Sequence, residues 1–350
     1  MTTHRQDYSL LGHDGQRAVE SGLANARWYK TAIPAETMKA LLQQRDGPAL
    51  RDTALWLGFM ILSAAVAVAL YPHWWSIPFF LVYGVLYGSA SDSRWHECGH
   101  GTAFKTRWLN TVVYQLACFM IMRNPVTWRR SHNRHHGNTI VVGRDPEIVA
   151  MRPPALGRIG LNFFGVLDAF AAMKTMLHNA AGKIDEETKT YVPESQHPAV
   201  FRVARIWCVI YAITICSALW FGSIVPLLLI GLPRLYGAWH HVLTGVLQHS
   251  GLAENVIDHR QNTRTVYMNP ISRFIYWNMN YHVEHHMFPM VPYHALPALH
   301  DAIKHDLPTA NNSMAEAYRE VIPILFRQRK EPDYFIKREL PATAAPYLYR

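Results

Sequence analysis

Two pairs of long apolar segments limit what this chain can fold into more than any other feature of its sequence. Each segment is close to the minimum of about 17 residues that crosses the hydrocarbon of a bilayer as a helix. Only a short turn, Pro72-His73 or Gly222-Ser223, separates the members of a pair. The four segments are residues 54–71, 74–90, 206–221 and 224–239. The pattern predicts an all-α integral membrane protein with four transmembrane helices in two hairpins.

The distribution of charge indicates a membrane protein rather than a nucleic-acid-binding one. The chain has 34 Lys and Arg against 25 Asp and Glu, which gives a net charge of +9. The basic residues flank the apolar segments, as Arg51 and Arg94 do for the first pair, and this is the positive-inside pattern. No N-terminal stretch resembles a cleaved signal peptide. We therefore expect cytosolic termini, contact with anionic lipid and no nucleic-acid partner.

Two less apolar segments lie between the two hairpins, and polar segments lie at the two ends of the chain. Residues 109–122 and 161–177 are moderately apolar but carry polar side chains such as Asn110 and Asp168. We expect them to lie at the membrane interface or to re-enter the membrane rather than to span it. The predicted organisation is a cytosolic segment over residues 1–50, a membrane domain over 51–300 and a cytosolic tail over 301–350.

Eight of the 20 histidines fall into three short motifs. In the first motif, HECGH, the two histidines share one face of a helix because they are four residues apart. The other two motifs have the form HxxHH, in which adjacent histidines diverge by about 100° around a helix. One such motif can therefore reach two metal ions. The eight residues are His96, His100, His132, His135, His136, His282, His285 and His286.

The position of the motifs favours a metal site over ordinary packing. Each motif follows a membrane or interfacial segment, so all eight imidazoles can meet at one membrane face. Burying them there is costly unless they coordinate a metal, and nitrogen ligands suit iron, copper or zinc better than magnesium or calcium. The isolated histidines are interpreted as ordinary surface or core residues. They are His4, His13, His73, His178, His197, His259, His294, His300 and His305.

Two functional classes compete with an interpretation of the motifs as a site for two metal ions. The first motif also reads H-E-x-x-H, the signature of zinc metalloproteases in which Glu97 would be the general base. One catalytic zinc needs three protein ligands, which leaves five motif histidines unexplained, whereas two metal ions would use all eight. A membrane metal-binding or transport protein predicts ionisable residues within the spans, but these histidines lie beyond the span ends.

The order HxxxH, HxxHH, HxxHH at the cytosolic ends of membrane segments resembles the membrane-bound fatty acid desaturase superfamily, which includes related hydroxylases. The similarity runs from about Ala54 to His300, and the segment NMNYHVEHHMFP at residues 278–289 is especially close to the third motif of desaturases. The segments QHSG at 248–251 and VPYHALP at 291–297 are similar to a bacterial branch that includes rhizopine-catabolism oxygenases and dihydrorhizobitoxine-type desaturases. We therefore expect a bacterial inner-membrane protein with cytosolic motifs.

The resemblance implies a cytosolic helical cap in which the motifs and one further histidine hold two iron ions. His249 is the best match for this ninth ligand, because it lies furthest from the membrane, and His240 and His241 compete with it. Some family members have asparagine four residues earlier, where this chain has Gly245. Outer polar groups normally orient such imidazoles through the second ring nitrogen. The candidates for that role are Asp92, Glu97, Asp145, Glu147, Asn280 and Glu284.

The implied chemistry is O2-dependent oxidation of an unactivated C–H position. Removal of two hydrogens gives a double bond, and insertion of oxygen gives an alcohol. The implied substrate is a lipid acyl chain, and the bacterial branch also allows a small non-lipid molecule. The chain has no CxxC motif and no phosphate-binding loop for a dinucleotide. We therefore expect an external electron donor, either a ferredoxin, a rubredoxin or a cytochrome.

Overall fold

The computed structural model describes residues 6–349, so His4 lies outside the described part of the chain. Within that range the fold is all-α, with one isolated bridge between Val266 and Asn311. The α-helices are α1 (His13–Glu20), α2 (Ala35–Leu41), α3 (Asp46–Leu70), α4 (Ser76–Gly88), α5 (Ala90–His100), α6 (Arg107–Met120), α7 (Pro125–Gly137), α8 (Leu156–Leu161), α9 (Val166–Ala180), α10 (Glu186–Lys189), α11 (His197–Trp220), α12 (Val225–Leu229), α13 (Pro233–Tyr236), α14 (Trp239–His249), α15 (His259–Asn262), α16 (Pro270–Ile275), α17 (His282–Met287), α18 (Leu296–Ile303) and α19 (Met314–Gln328).

Two helical stretches, Ala35–Leu70 and Glu194–Trp220, are long and apolar enough to cross a membrane. Each has one buried stripe with a spacing of three or four residues. The stripe of α3 consists of Ala49, Thr53, Trp56, Met60, Ser63 and Ala67. The stripe of α11 consists of Val200, Ala204, Trp207, Tyr211, Thr214 and Ala218. The other faces expose large apolar side chains such as Ile61 and Leu219, as expected for helices surrounded by lipid rather than water.

The second and fourth predicted spans differ from long continuous helices. Helix α4 has 13 residues, or about 20 Å, and the chain continues as α5 after a break at Ser89. Residues 224–239 are divided into α12, α13 and the first residue of α14. Pro226 and Pro233 each stand in the first turn of their helix, where proline is favourable, and Gly231 between the two helices adopts the left-handed region at φ 94°.

For residues 161–177 the sequence predicts a segment that lies at the membrane interface or re-enters the membrane, and the structure contains two helices joined by a sharp bend there. The stretches Leu156–Phe164 and Val166–Ala180 meet at a bend of 78°, as in a broken span or a re-entrant loop. Helix α9 buries Met176 and Asn179 and exposes Phe170 on its opposite face. The described helices therefore provide two membrane-spanning candidates, or three if this bent pair counts as one span.

Glycines allow α4 to pack closely on the segment around α13. A Cβ atom added at Gly84 would lie 2.2 Å from the Tyr236 ring, and one at Gly88 would lie 2.7 Å from the Pro233 carbonyl oxygen. A Cβ at Gly237 would lie only 1.7 Å from the Gly84 carbonyl oxygen. Small residues at such spacing let membrane helices approach each other. This contact matters for the site because α4 leads directly into α5, which carries the first histidine motif.

We expect Gly237→Ala to destabilise the protein by about 3 kcal/mol, because the added methyl group overlaps backbone atoms that cannot rotate away. The matched control is Gly58→Ala in α3, where a Cβ meets nothing within 4 Å. That change should be neutral or stabilising by up to about 1 kcal/mol, because alanine favours a helix interior. Thermal unfolding of both variants in the same detergent measures the difference. Equal stability of the two variants would contradict the close contact.

Candidate metal centre

Helices α5, α7 and α17 bring five imidazoles into a first cluster. Its members are His96, His100, His132, His136 and His285, and their ligand atoms all lie within 4.8 Å of one another. In α5 and α7 each contributing pair is four residues apart, so both rings project from one helix face. The cluster therefore combines one pair from each of the first two motifs with a single ring from the third.

Local signals in the sequence place these helices. Helix α5 ends at His100 because Gly101 adopts the left-handed conformation at φ 75°, which glycine accommodates without strain. Helix α7 begins at Pro125, where the side chain of Asn124 accepts a hydrogen bond from the backbone N–H of Val126. Proline in the first turn and an asparagine cap are both favourable at a helix start.

Four Nε2 atoms of the first cluster form a closed ring. His96 and His132 lie 3.1 Å apart, and His132 and His136 lie 3.0 Å apart. His136 and His285 are separated by 3.2 Å, and His285 and His96 by 2.7 Å. The Nε2 atom of His100 lies 3.1 Å from that of His132. Metal–imidazole bonds of about 2.0–2.1 Å hold adjacent donor nitrogens about 3 Å apart, so this spacing fits one shared metal ion.

A second cluster contains His135, His249 and His286, whose ligand atoms also lie within 4.8 Å of one another. His282 joins it, because its Nε2 lies 3.1 Å from that of His286 and its ring centroid is 5.1 Å from that of His249. The buried Nε2 atom of His249 has no hydrogen-bond partner among the described residues. A metal ion bound by these four rings would satisfy it.

The two clusters adjoin each other. The His136 ring of the first cluster stacks on the His286 ring of the second, with centroids 4.4 Å apart. Each HxxHH motif divides between the clusters, because its adjacent histidines point in different directions around the helix axis. The nine imidazoles can therefore hold two neighbouring metal ions.

Burial determines the charge of these rings. Burial and the neighbouring imidazoles hold the pKa of His96, His132, His136, His282, His285 and His286 well below its usual range. Burial lowers the pKa of His100 to about 4 and that of His249 to about 3. For His135, burial is outweighed by the Asp145 carboxylate, which raises the pKa. Eight of the nine rings are thus neutral at pH 7, the form that binds a metal.

Two predicted outer carboxylates contact cluster imidazoles. The Nδ1 atom of His135 donates to Asp145 at 2.8 Å, and that of His132 donates to Glu147 at 3.0 Å. Asp145 is itself held by the backbone N–H groups of Ile140 and Glu147. Burial raises the pKa of Glu147 to about 7. These bonds direct the free Nε2 atoms of both rings into the clusters.

The other four predicted outer residues have different partners. Asp92 accepts a hydrogen bond from the indole of Trp95 and pairs with Arg123. Glu284 bonds to Thr265 and to the Nδ1 atom of His300. The Nδ2 group of Asn280 donates to the Val266 carbonyl.

Glu97 is the fourth, and its surroundings differ from those of a protease base. Its carboxylate accepts hydrogen bonds from the Thr102 hydroxyl at 2.7 Å and from the backbone N–H of Tyr293 at 3.0 Å. Burial raises its pKa to about 7. Glu97 therefore ties the first motif to the loop after the third motif, whereas a zinc protease needs this glutamate beside a metal-bound water.

Among the three candidates for the additional histidine, the structure places only His249 in a described cluster. The Nε2 atom of His240 lies 3.2 Å from the Ser272 hydroxyl, and His241 lies on the wall of a cavity. His249 donates from Nδ1 to the Asn262 carbonyl at 2.8 Å, which leaves Nε2 free for a metal.

Sequence reasoning missed several residues around the clusters. The hydroxyl of Thr139 accepts from Nδ1 of His286 at 3.1 Å, and nothing in the sequence marks this threonine or the Asn262 carbonyl. His259 stacks on Trp28 with centroids 4.2 Å apart and lies 5.2 Å from the His286 ring. Its prediction as an ordinary core residue is compatible with this packing. Only tertiary contacts reveal these neighbours.

A cavity of about 840 Å³ opens onto both clusters. Its wall includes His96 and His132 from the first cluster and His135, His249 and His282 from the second. Ligand sites in proteins have volumes of about 300–1,000 Å³ and combine apolar walls with a few polar groups. The imidazole clusters are therefore accessible to a molecule bound in this cavity.

Comparison with known proteins agrees with this arrangement. An acyl-lipid omega-3 desaturase (cytochrome b5) of the endoplasmic reticulum from Arabidopsis thaliana is 24% identical over 285 residues, which cover 74% of this chain and 72% of the relative. A probable fatty acid desaturase from Sorghum bicolor is 25% identical over 309 residues, or 81% of this chain and 71% of the relative. An sn-1 acyl-lipid omega-3 desaturase (ferredoxin) from Synechocystis sp. is 32% identical over 111 residues, or 31% of this chain and 29% of the relative. The family model described as fatty acid desaturase matches residues 72–318. The chain therefore belongs to the fatty acid desaturase family of membrane oxidoreductases.

Proposed function

We propose that this protein is an O2-dependent desaturase that uses two iron ions to oxidise an unactivated C–H position of a lipid acyl chain. The observation that carries the proposal is the pair of adjacent imidazole clusters that share one cavity wall. His96, His100, His132, His136 and His285 would hold one ion, and His135, His249, His282 and His286 the other. When bound, the iron pair supplies the activation of O2.

The protein's own groups provide orientation and a dry environment. Asp145, Glu147 and the Asn262 carbonyl accept hydrogen bonds from Nδ1 atoms and keep the Nε2 atoms directed at the ions. Burial keeps most of the imidazoles neutral and limits water at the reacting position. The cavity positions the substrate against the ring nitrogens. A small non-lipid substrate is the second candidate, supported by charged residues in the cavity wall such as Arg123 and Asp92. Hydroxylation in place of desaturation is the alternative reaction for either substrate.

We further propose the membrane arrangement and the source of electrons. Helices α3 and α11 would make two crossings, and the shorter α4 and the broken segment 225–239 would make the other two. A helical cap would then hold the clusters on the cytosolic side of a bacterial inner membrane, together with the segments 1–50 and 301–350. The relatives' names include cytochrome b5 and ferredoxin, which supports an external protein donor of electrons.

We expect the purified protein to contain about two iron ions per chain and His249→Ala to contain about one, because the second cluster loses a ligand whose Nε2 faces it. His240→Ala, a buried histidine outside both clusters, is the matched control and should keep two. Metal analysis by mass spectrometry measures both variants. Two ions in His249→Ala would contradict the ligand set.

Asp145→Asn should weaken iron binding about 10–100-fold, because asparagine retains one acceptor but orients His135 less strongly. The control is Glu97→Gln, which changes an equally buried carboxylate that bonds to Thr102 and Tyr293 rather than to a cluster imidazole. Competition with an Fe2+ chelator under anaerobic conditions gives both dissociation constants. Equal effects of the two substitutions would show that Asp145 acts only through general stability.

Expression in a bacterial host should produce lipids that are about 2 Da lighter at one acyl chain, as desaturation removes two hydrogens. His285→Ala, expressed at the same level, corrects for the host's own desaturases. Mass spectrometry of total lipid and of water-soluble metabolites identifies the product. A gain of about 16 Da would favour hydroxylation, and product only in the water-soluble fraction would favour the small-molecule candidate.

A further inference from the structure

The cavity has a second polar region besides the imidazole clusters. One face of α9 lines it, with Asp168, Ala171, Ala172, Thr175, Met176 and Asn179 at helical spacing. Arg234 of α13 and His241 of α14 lie on the same cavity wall. Small and polar side chains thus face the cavity, while α9 exposes Phe170 and Leu177 on its other side.

Arg234 is the unusual residue in this region. Its side chain is only 2% exposed, and its one ion-pair partner in the described part of the chain, Asp168, lies 3.6 Å away and is 45% exposed. The Nε and NH1 atoms have no hydrogen-bond partner within residues 6–349. A buried guanidinium without hydrogen bonds is costly. An ionisable residue in an otherwise apolar membrane segment usually marks a functional site.

Charges of both signs surround Arg234. Gly165, at the start of α9, lies so close that an added Cβ would be 2.9 Å from the NH1 atom. The N-terminus of a 15-residue helix carries a partial positive charge. Arg123 and Asp92 pair with each other at 3.2 Å, and both stand within electrostatic range of Arg234. Asp168 is the carboxylate that pairs with Arg234, but its exposure to solvent weakens this pairing.

This region is connected to the metal centre. Asp92, which pairs with Arg123, accepts a hydrogen bond from Trp95 at 3.0 Å. The Trp95 ring contacts the His132 ring with centroids 5.2 Å apart. The cavity that Arg234 lines is also the one that His96 and His132 line. A molecule held at Arg234 can therefore extend to the clusters.

We infer that Arg234 binds an anionic oxygen group of the substrate, a carboxylate or a phosphate, while the remainder of the substrate lies against the imidazole clusters. The inference rests on the proposed function, whose substrate class it narrows. Guanidinium groups recognise carboxylates and phosphates through charge-assisted hydrogen bonds. Arg234 is thus a residue that sets substrate specificity, and the bound anion would give its buried guanidinium a further partner.

The test measures equilibrium binding of three probes with the same alkyl length to the iron-loaded protein in phosphatidylcholine nanodiscs. The probes are decanoate, decyl phosphate and neutral decanol. We expect at least one anionic probe to bind about tenfold or more tightly than decanol, and Arg234→Gln to abolish that preference, because it removes a charge-assisted hydrogen bond. The better anionic probe identifies a carboxylate or a phosphate as the group. Arg202→Gln, an exposed arginine on α11, should bind like the unchanged protein.

Asp168→Asn provides a second test that does not depend on the stability of Arg234→Gln. Removing the competing carboxylate should strengthen binding of the anionic probe, an effect that a damaged fold does not produce. Three outcomes would overturn the inference. The unchanged protein could show no preference for an anionic probe, Arg234→Gln could keep that preference, or Asp168→Asn could bind the anionic probe no more tightly than the unchanged protein. Probe binding is measured without turnover, so its result does not depend on the proposed reaction. Failure of the proposed reaction would instead be seen as iron-loaded protein that forms no oxidised product.

Discussion

The structure depends on the desolvation of nine imidazoles that converge in a small volume. Buried rings whose nitrogens lie about 3 Å apart cannot all carry charge, so most of them are neutral, and their free nitrogens need a shared partner. A metal ion in each cluster would satisfy this requirement, and the surrounding hydrogen bonds to Nδ1 atoms orient the rings for it. Asp145 and Glu147 hold two rings, and the Asn262 carbonyl and Thr139 hold two more.

The membrane helices and the site are parts of one packing arrangement. Helix α4 continues into α5, so close contacts at Gly84 and Gly237 also set the position of the first histidine motif. The outer faces of α3 and α11 remain apolar, while their buried stripes face the protein. Backbone proximity in the apolar region thus contributes to the precision of a polar site outside it.

The cavity joins two kinds of chemistry. Under the proposed function its imidazole end would hold the metals that activate O2, and its other polar region contains the guanidinium of Arg234, which has nitrogens without partners among residues 6–349. Membership in the desaturase family indicates an oxidoreductase but leaves the choice of substrate to the residues that line the cavity. For this chain the buried Arg234 is the side chain that distinguishes an anionic substrate from a purely apolar one.

The sequence by itself determined the all-α class, the long apolar helices α3 and α11, and the residues able to bind metal, because helical period and motif spacing are local properties. It also ranked His249 above His240 and His241. Only the tertiary structure decided how the motifs divide between two clusters and which outer groups touch them. Asp145 and Glu147 reach imidazoles of the clusters, whereas Asp92, Glu97, Asn280 and Glu284 bond to groups outside them. The broken segment 224–239 and the placement of Arg234 were likewise decided there, since both depend on contacts between residues far apart in the chain.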